Sequence, residues 1–192
     1  MTPAFLAQII ALVALALLVA YPLGVYMARV FDDQATFLDP VAGPVDRGLL
    51  RLTGVGADPA PMGWRQYATA MLWSNLFMAL VIFAILVGQG ALPWNPLGLA
   101  GMEPLQAFNT AVSFITNTNW QSYGGESTLS YFSQMAAITF PMFTSAATGF
   151  CVAIAFMRGL IGRPDMGNFY VDMIRFTTRV LLPVCVLAGF VL

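Results

Sequence analysis

Lysine and histidine are both absent from the 192 residues, so imidazole metal ligands and a histidine general base are excluded. Charge of any kind is scarce: eight arginines and nine acidic residues make up 9% of the chain, against about 25% in a soluble domain. Cysteine occurs twice, at Cys151 and Cys185, both in apolar runs, where small buried hydrophobes with free thiols are expected rather than a disulfide or a metal pair. No catalytic triad, Walker loop or phosphorylatable aspartate motif is present, which leaves no hydrolytic chemistry for the chain to perform by itself. What fills the sequence is apolar residue, 59% of it, with a mean hydropathy of +0.77. The expected class is an all-α integral membrane protein.

The first apolar run, Ala4 to Ala28, carries only Gln8 as a strongly polar interruption and has no basic residue ahead of it. It is too long for the h-region of a secretory signal, about 7–15 residues, and reads as a retained transmembrane helix. Tyr67 to Val87 follows as a second span, about 21 residues and roughly 31 Å, with Trp64, Tyr67 and Trp94 as interfacial anchors. Asn75 inside it suggests an interhelical hydrogen bond. A third span runs from about Leu129 to Phe156, with a kink expected at Pro141 and a small-residue face at Ser145-Ala-Ala-Thr-Gly149. A fourth begins near Tyr170, where Asp172 and Arg175 are spaced to pair and Arg179 can snorkel to the interface.

Between the first two spans lies a polar segment from Arg29 to Arg65, with breakers at Gly43-Pro44 and Asp58-Pro-Ala-Pro61 and a short amphipathic helix expected over Val45 to Leu52. Arg47 and Arg51 share one face of it, as a solvated connector or a headgroup-binding element; the connector is the commoner case. All eight arginines lie in or beside two connectors, Arg29–Arg65 and Arg158–Arg179, whereas Gly88 to Ser130 holds only Glu103 and Glu126. The positive-inside rule puts the Arg-rich connectors in the cytoplasm and the N-terminus outside.

The outer connector contains the most informative stretch. Glu103-Pro104 opens a helix that ends near Ile115 after about a dozen residues, roughly 18 Å, too short to cross a bilayer. Hydroxyls, amides and glycines then replace aliphatics from Thr116 to Glu126. The connector is either an exposed loop with one interfacial helix or a re-entrant loop; the apolar run Ala107 to Ile115 leans towards the second. A re-entrant half-helix would aim its negative dipole end at the membrane centre, where backbone carbonyls of Thr116, Asn117, Thr118 and Asn119 would replace part of a cation's hydration shell. Glu126 would concentrate cations at the mouth.

Asn109-Thr-Ala-Val-Ser-Phe-Ile-Thr-Asn-Thr-Asn-Trp-Gln-Ser-Tyr123, with Gly125-Glu-Ser-Thr-Leu-Ser-Tyr-Phe-Ser-Gln-Met135, resembles the first pore loop of the potassium-binding A subunit of Kdp-type potassium-transporting ATPases. Tyr21-Pro-Leu-Gly24, Trp64-Arg-Gln-Tyr67, Val87-Gly-Gln89 and Leu92-Pro-Trp-Asn-Pro96 extend the resemblance over the whole chain, with Gly124 where relatives commonly carry serine. The resemblance implies four transmembrane helices plus one re-entrant half-helix and filter loop. Its parts would be an extra helix over 1–30, a cytoplasmic connector over 31–66 and a first membrane–pore–membrane repeat over 67–157. Within that repeat the half-helix takes 103–115 and the filter loop 116–126; a connector over 158–168 and the first helix of a second repeat over 169–192 follow. Thr116, Asn117, Thr118 and Asn119 would be one filter strand, binding K+ through the carbonyls of Thr116, Asn117 and Thr118, with Gln121 and Ser113 supporting it. The implied function is potassium uptake at the bacterial inner membrane, with potassium as substrate and no covalent cofactor. A P-type subunit hydrolysing ATP and small accessory subunits would be the partners, in contact with membrane lipids and with no nucleic acid. The chain would then be an N-terminal portion with about a quarter of a filter; a homo-oligomeric cation channel and an inert truncated chain stand as alternatives.

Overall fold

The computed structural model describes residues 2–56 and 59–191, and among these every regular element is helical. Helix α1 (Pro3–Phe31) starts where Pro3 occupies the first turn, whose N–H groups lack partners anyway, and Thr2 caps it. It runs three residues beyond the expected end, passes Pro22 unbroken and leaves its apolar faces exposed. Helix α2 (Asp39–Leu52) is longer than expected, because Gly43-Pro44 lies inside it rather than at a turn. Packing of Ala42, Gly43, Asp46 and Leu50 against the body of the protein overrides the single backbone bond lost at Pro44. The other breaker begins at Asp58, outside the described residues, and continues through Pro59 to Pro61 as the expected non-helical link.

Helix α3 (Trp64–Gly88) opens with the Gly63 N–H donating to Oε1 of Gln66 and is followed by a 3₁₀ turn at Gln89–Ala91. After it come α4 (Pro104–Ile115), the single turn α5 (Gly125–Thr128), α6 (Tyr131–Leu160) and α7 (Phe169–Val191). Four of these, α1, α3 with its 3₁₀ turn, α6 and α7, are long and apolar enough to cross a membrane. The chain is a multi-pass all-α membrane protein.

Both later spans contain a π-helical stretch, Gln134–Thr139 in α6 and Thr177–Leu181 in α7, and in each a proline (Pro141, Pro183) stands two residues beyond it. A proline cannot donate to the carbonyl four residues back and its ring crowds that carbonyl. Widening the preceding turn to an i→i+5 register absorbs both problems without a break. The kink expected at Pro141 is therefore spread over the turn before it.

The helices close around three apolar clusters. One joins Ile82 and Leu86 of α3 to Ala107, Ala111 and Phe114 of α4 and to Ala137 and Ile138 of α6. The second joins Val30 and Phe31 to Ala147, Ile154, Phe176 and Val180, and the third packs Tyr67, Cys151 and Phe169. Cys151 is thus buried, while Cys185 is exposed on α7.

Charged side chains lock the opposite end of the bundle from α4. Arg158 forks onto Asp172, Nη1 to Oδ2 at 2.6 Å and Nη2 to Oδ1 at 3.1 Å, and also donates to the carbonyls of Met166 and Phe31. The Tyr67 hydroxyl completes the knot against Asp172 at 3.0 Å. The Asp172–Arg175 pair expected from helical spacing does not form. Asp172 is only 1% exposed and needs a partner that satisfies both oxygens out of water, which a guanidinium fork from the facing helix does. Arg175 instead reaches Asp33 at 2.5 Å, beside the Arg163–Asp32 pair. Arg179 does not snorkel to headgroups either: it lies between Asp39 and Asp46, with Nε 2.8 Å from Asp46, and Thr178 donates to Asp46 at 2.6 Å. These bonds pin α2 to α7. At the start of α2, the Thr36 backbone amide, its hydroxyl and Arg179 hold the Asp39 carboxyl below its ordinary value of 3.8. Among the described residues Asn75 makes no interhelical bond: its amide donates to Met71 of its own helix, and its buried Oδ1 has no partner there.

Candidate functional site

The short helix α4 is held between α3 and α6 by its buried face, Ala107, Thr110, Ala111 and Phe114, as the apolar run had implied. Its start is fixed at the end of α3. The Met102 N–H donates to the Leu86 carbonyl at 3.0 Å, and the Glu103 carboxylate caps α4 by accepting from the Gln106 N–H at 2.8 Å. Gly101 makes this junction possible, since a Cβ there would lie 2.1 Å from the Val87 carbonyl oxygen.

Gln89 closes the ring above it. This side chain, 1% exposed, donates to the carbonyls of Ala100 (2.7 Å) and Thr128 (2.8 Å) and accepts from the Ser130 N–H (3.1 Å). One amide therefore ties the chain entering α4 to the chain leaving the loop. The Tyr131 N–H donating to the Trp94 carbonyl at 3.1 Å adds a second tie. Sequence reading missed this role of Gln89; the available signal was a lone amide set between Gly88 and Gly90 at the end of an apolar span.

The far end of α4 sits deep along α6. The Ser145 hydroxyl donates to Oδ1 of Asn117 at 3.3 Å, and Ser145 is fourteen residues into a helix that rises 1.5 Å per residue, about 21 Å from its start. Tyr123 then packs back against the α4 cluster and Gly125 lies against Gln134 near the start of α6. The chain thus runs out along α6 and turns back within the same helix pair.

Thr116 to Asn119 does not form an extended strand. It is wound around Ser113, whose carbonyl accepts from the N–H of Thr118 (3.0 Å) and Asn119 (3.2 Å) and whose hydroxyl accepts from the Trp120 N–H (2.6 Å). The first of these, with Asn117 at φ 60°, is a Schellman cap of α4, and asparagine tolerates the left-handed conformation it requires. Asn119 is left-handed as well, at φ 54°. The Thr116 and Thr118 hydroxyls meet at 2.9 Å and Nδ2 of Asn119 donates to Oδ1 of Asn117 at 3.3 Å. The amides of Thr116, Thr118 and Asn119 are spent on the helix end, while among the described residues no donor reaches the carbonyls of Thr116, Asn117, Thr118 or Asn119. These four residues are exposed. The winding leaves an electronegative, carboxylate-free edge.

Gln121 is oriented by a directional chain. The Thr110 hydroxyl is closer to the Gln106 carbonyl (2.9 Å) than to Oη of Tyr123 (3.3 Å), so its proton goes to Gln106. Thr110 then accepts from Tyr123, and Tyr123 accepts from Nε2 of Gln121 at 3.2 Å. The amide nitrogen is committed, and among the described residues no donor reaches the amide oxygen. Thr110 and Tyr123 are positioning groups that the sequence reading did not single out, although both lie within the quoted motif. Glu126 is exposed in the single turn α5 after the loop, and among the described residues no cluster of His, Cys, Asp or Glu suits a metal ion.

A bundle of apolar spans clasping a half-length helix defines a multi-pass all-α membrane protein. Residues 10–192 match the family described as Potassium-transporting ATPase A subunit, and the chain belongs to that family. Among similar curated proteins are the potassium-transporting ATPase potassium-binding subunits of Mesorhizobium japonicum and Alicyclobacillus acidocaldarius. The first is 49% identical over 176 residues, 91% of this chain and 31% of the relative. The second is 50% identical over 184 residues, 94% of this chain and 33% of the relative. A third, from Gloeobacter violaceus, is 48% identical over 96% of this chain. The chain spans about a third of the length of these relatives.

Proposed function

We propose that the chain forms part of a potassium-binding subunit of an ATP-driven uptake pump, and that the loop from Thr116 to Asn119 is one wall of its filter. The carrying observation is the exposed, unpaired carbonyl edge at the C-terminal end of α4, about 21 Å along α6. In this reading α4 and the loop are re-entrant, since irregular backbone at that depth is tolerated where it is packed in protein or lines a watery path. Residues 67–157 are then one membrane–pore–membrane repeat and 169–192 opens the next. The arginine distribution puts the connectors 31–66 and 158–168 in the cytoplasm and the N-terminus outside the inner membrane. In this reading carbonyls of Thr116, Asn117 and Thr118 face the ion, Ser113 sets their winding, and Gln121 supports the filter. ATP is hydrolysed on a partner subunit of the assembly in this reading, as the family resemblance implies.

Asn117→Asp with Thr118→Val replaces a neutral cap by a carboxylate and deletes the Thr116–Thr118 hydroxyl contact. Potassium-dependent ATP hydrolysis by the assembled transporter should then need about tenfold more potassium or greater, a loss of roughly 1.4 kcal/mol. Unchanged potassium dependence would remove the filter assignment. Tyr123→Phe tests the orientation of Gln121 separately. The ring keeps its packing, the amide is freed to turn, and the apparent potassium affinity should fall about fivefold, the equivalent of one hydrogen bond near 1 kcal/mol. Thr110→Ser, which keeps the hydroxyl, should leave that affinity in place; equal losses in both variants would contradict the directional chain.

A further inference from the structure

Helix α2 has three distinct faces. Ala42, Asp46 and Leu50 are buried against the bundle. A second face is apolar and exposed: Val41, Val45, Leu49 and Leu52, at spacings of four, four and three, with Val41 72% and Leu52 85% exposed. On its flank stand Arg47 and Arg51, both exposed and, among the described residues, without an acidic partner, whereas Arg158, Arg163, Arg175 and Arg179 are all paired. A connector washed by water has no reason to present such a stripe beside free guanidinia.

The level of α2 along the spans points the same way. Asp46 is bonded by the short side chain of Thr178, nine residues or about 14 Å into α7, so α2 lies well inside the end of that span. The Tyr26 hydroxyl donates to the Arg179 carbonyl at 2.9 Å, which sets the same level on α1, five residues or about 8 Å short of its end. Helix α1 at 29 residues is about 44 Å long against a hydrocarbon core of about 30 Å, so an equal overhang places Tyr26 near the boundary between acyl chains and headgroups. Tyrosine favours that boundary.

We propose that α2 is seated in the bilayer leaflet on its own side of the protein, with its apolar stripe in the acyl boundary and Arg47 and Arg51 on the phosphates of anionic lipids. The pairs Arg179–Asp46 and Arg179–Asp39 hold the polar back of the helix to the bundle, so the stripe stays turned towards lipid. This inference rests on the packing of α2 and is independent of the transport reading.

The test places a bimane label at Val41→Cys, Val45→Cys or Leu49→Cys, one at a time, in a Cys185→Ala background, with Gln34→Cys as the aqueous reference. The whole chain is reconstituted in equal mixtures of phosphatidylcholine and phosphatidylglycerol, either lipid carrying acyl-chain bromine. Bromolipid should quench the three stripe positions and iodide should quench only position 34. Each arginine near an anionic surface is worth about fivefold in lipid partitioning, so Arg47→Gln with Arg51→Gln should cut the preference of α2 for brominated phosphatidylglycerol by roughly thirtyfold. Iodide quenching along the stripe would overturn the proposal in favour of a solvated connector. Protection from both quenchers would overturn it in favour of a protein-covered surface. Bromolipid quenching without a phosphatidylglycerol preference would refute the role of the arginines.

Discussion

Arg158→Ala is expected to lower the stability of the bundle by about 3–5 kcal/mol, the cost of leaving a buried charge without its counterion. The two side chains are 9% and 2% exposed, so little water is at hand to replace the guanidinium. The loss is not confined to Asp172. Arg158 also donates to the Phe31 and Met166 carbonyls, at the end of α1 and in the link before α7, so one truncation frees acceptors on three elements. For a chain of this size the thermal midpoint in mild detergent should fall by about 10 °C or more. The controlling variant removes the charges together. Arg158→Met with Asp172→Leu fills the same space with apolar atoms and should recover much of the loss, as replaced buried ion pairs do. If the single variant were as stable as the parent, the knot would be ornamental and the link from α6 to α7 would have to be sought in the apolar clusters alone.

Gly101→Ala is expected to cost about 2–4 kcal/mol and to weaken potassium binding by the assembled transporter. The added Cβ would fall 2.1 Å from the Val87 oxygen and 3.2 Å from the Val87 carbon. These are backbone atoms of a packed helix and cannot rotate aside, so the link itself must shift, with the overpacking penalty and the loss of the Met102–Leu86 bond as its consequences. The shift is passed on to Glu103 and the start of α4. Gly90→Ala is the matched control, because a Cβ there meets its nearest neighbours at 3.5 Å, ordinary contact. Thermal midpoints and potassium isotherms of the two variants should separate; coincidence of both curves would show that the junction tolerates displacement and that α4 is positioned from its other end.

These two effects act at opposite ends of one unit. Arg158 and Asp172 hold the ends of α6 and α7 together, while Gly101 and Gln89 hold the ends of α3 and α6 around the loop. Between them lies the loop from Thr116 to Asn119, whose carbonyls are left without donors among the described residues. A loop most of whose amides are consumed by a helix cap, and whose side-chain oxygens are tied to one another, keeps its carbonyl edge in place without help from a ligand. Such preorganisation is what a binding site for a small cation needs, since ligands already fixed in place lose little freedom when the ion arrives.

Much was legible in the residues themselves. The four spans follow from hydropathy, because in a bilayer every backbone group must be satisfied within the helix and length is set by thickness. The half-length of α4 was equally plain, as Pro104 and the polar run after Ile115 bound it on both sides. The motif from Asn109 to Tyr123 carried the family. What only the tertiary structure decided were pairings and orientations. Helical spacing offered Arg175 to Asp172, but the facing Arg158 won because a fork satisfies both oxygens of a carboxylate buried away from water. Gly43-Pro44 reads as a break, yet burial of neighbouring residues carries α2 through it. The family resemblance offered Thr116 to Asn119 as a filter strand, and its winding was not legible: the unpaired carbonyls at the end of α4 draw its amides into a cap. Periodicity and composition are properties of the chain, and the sequence determined whatever depends on them; which distant partner satisfies a buried polar group depends on the packing of whole helices, and that was decided only in three dimensions.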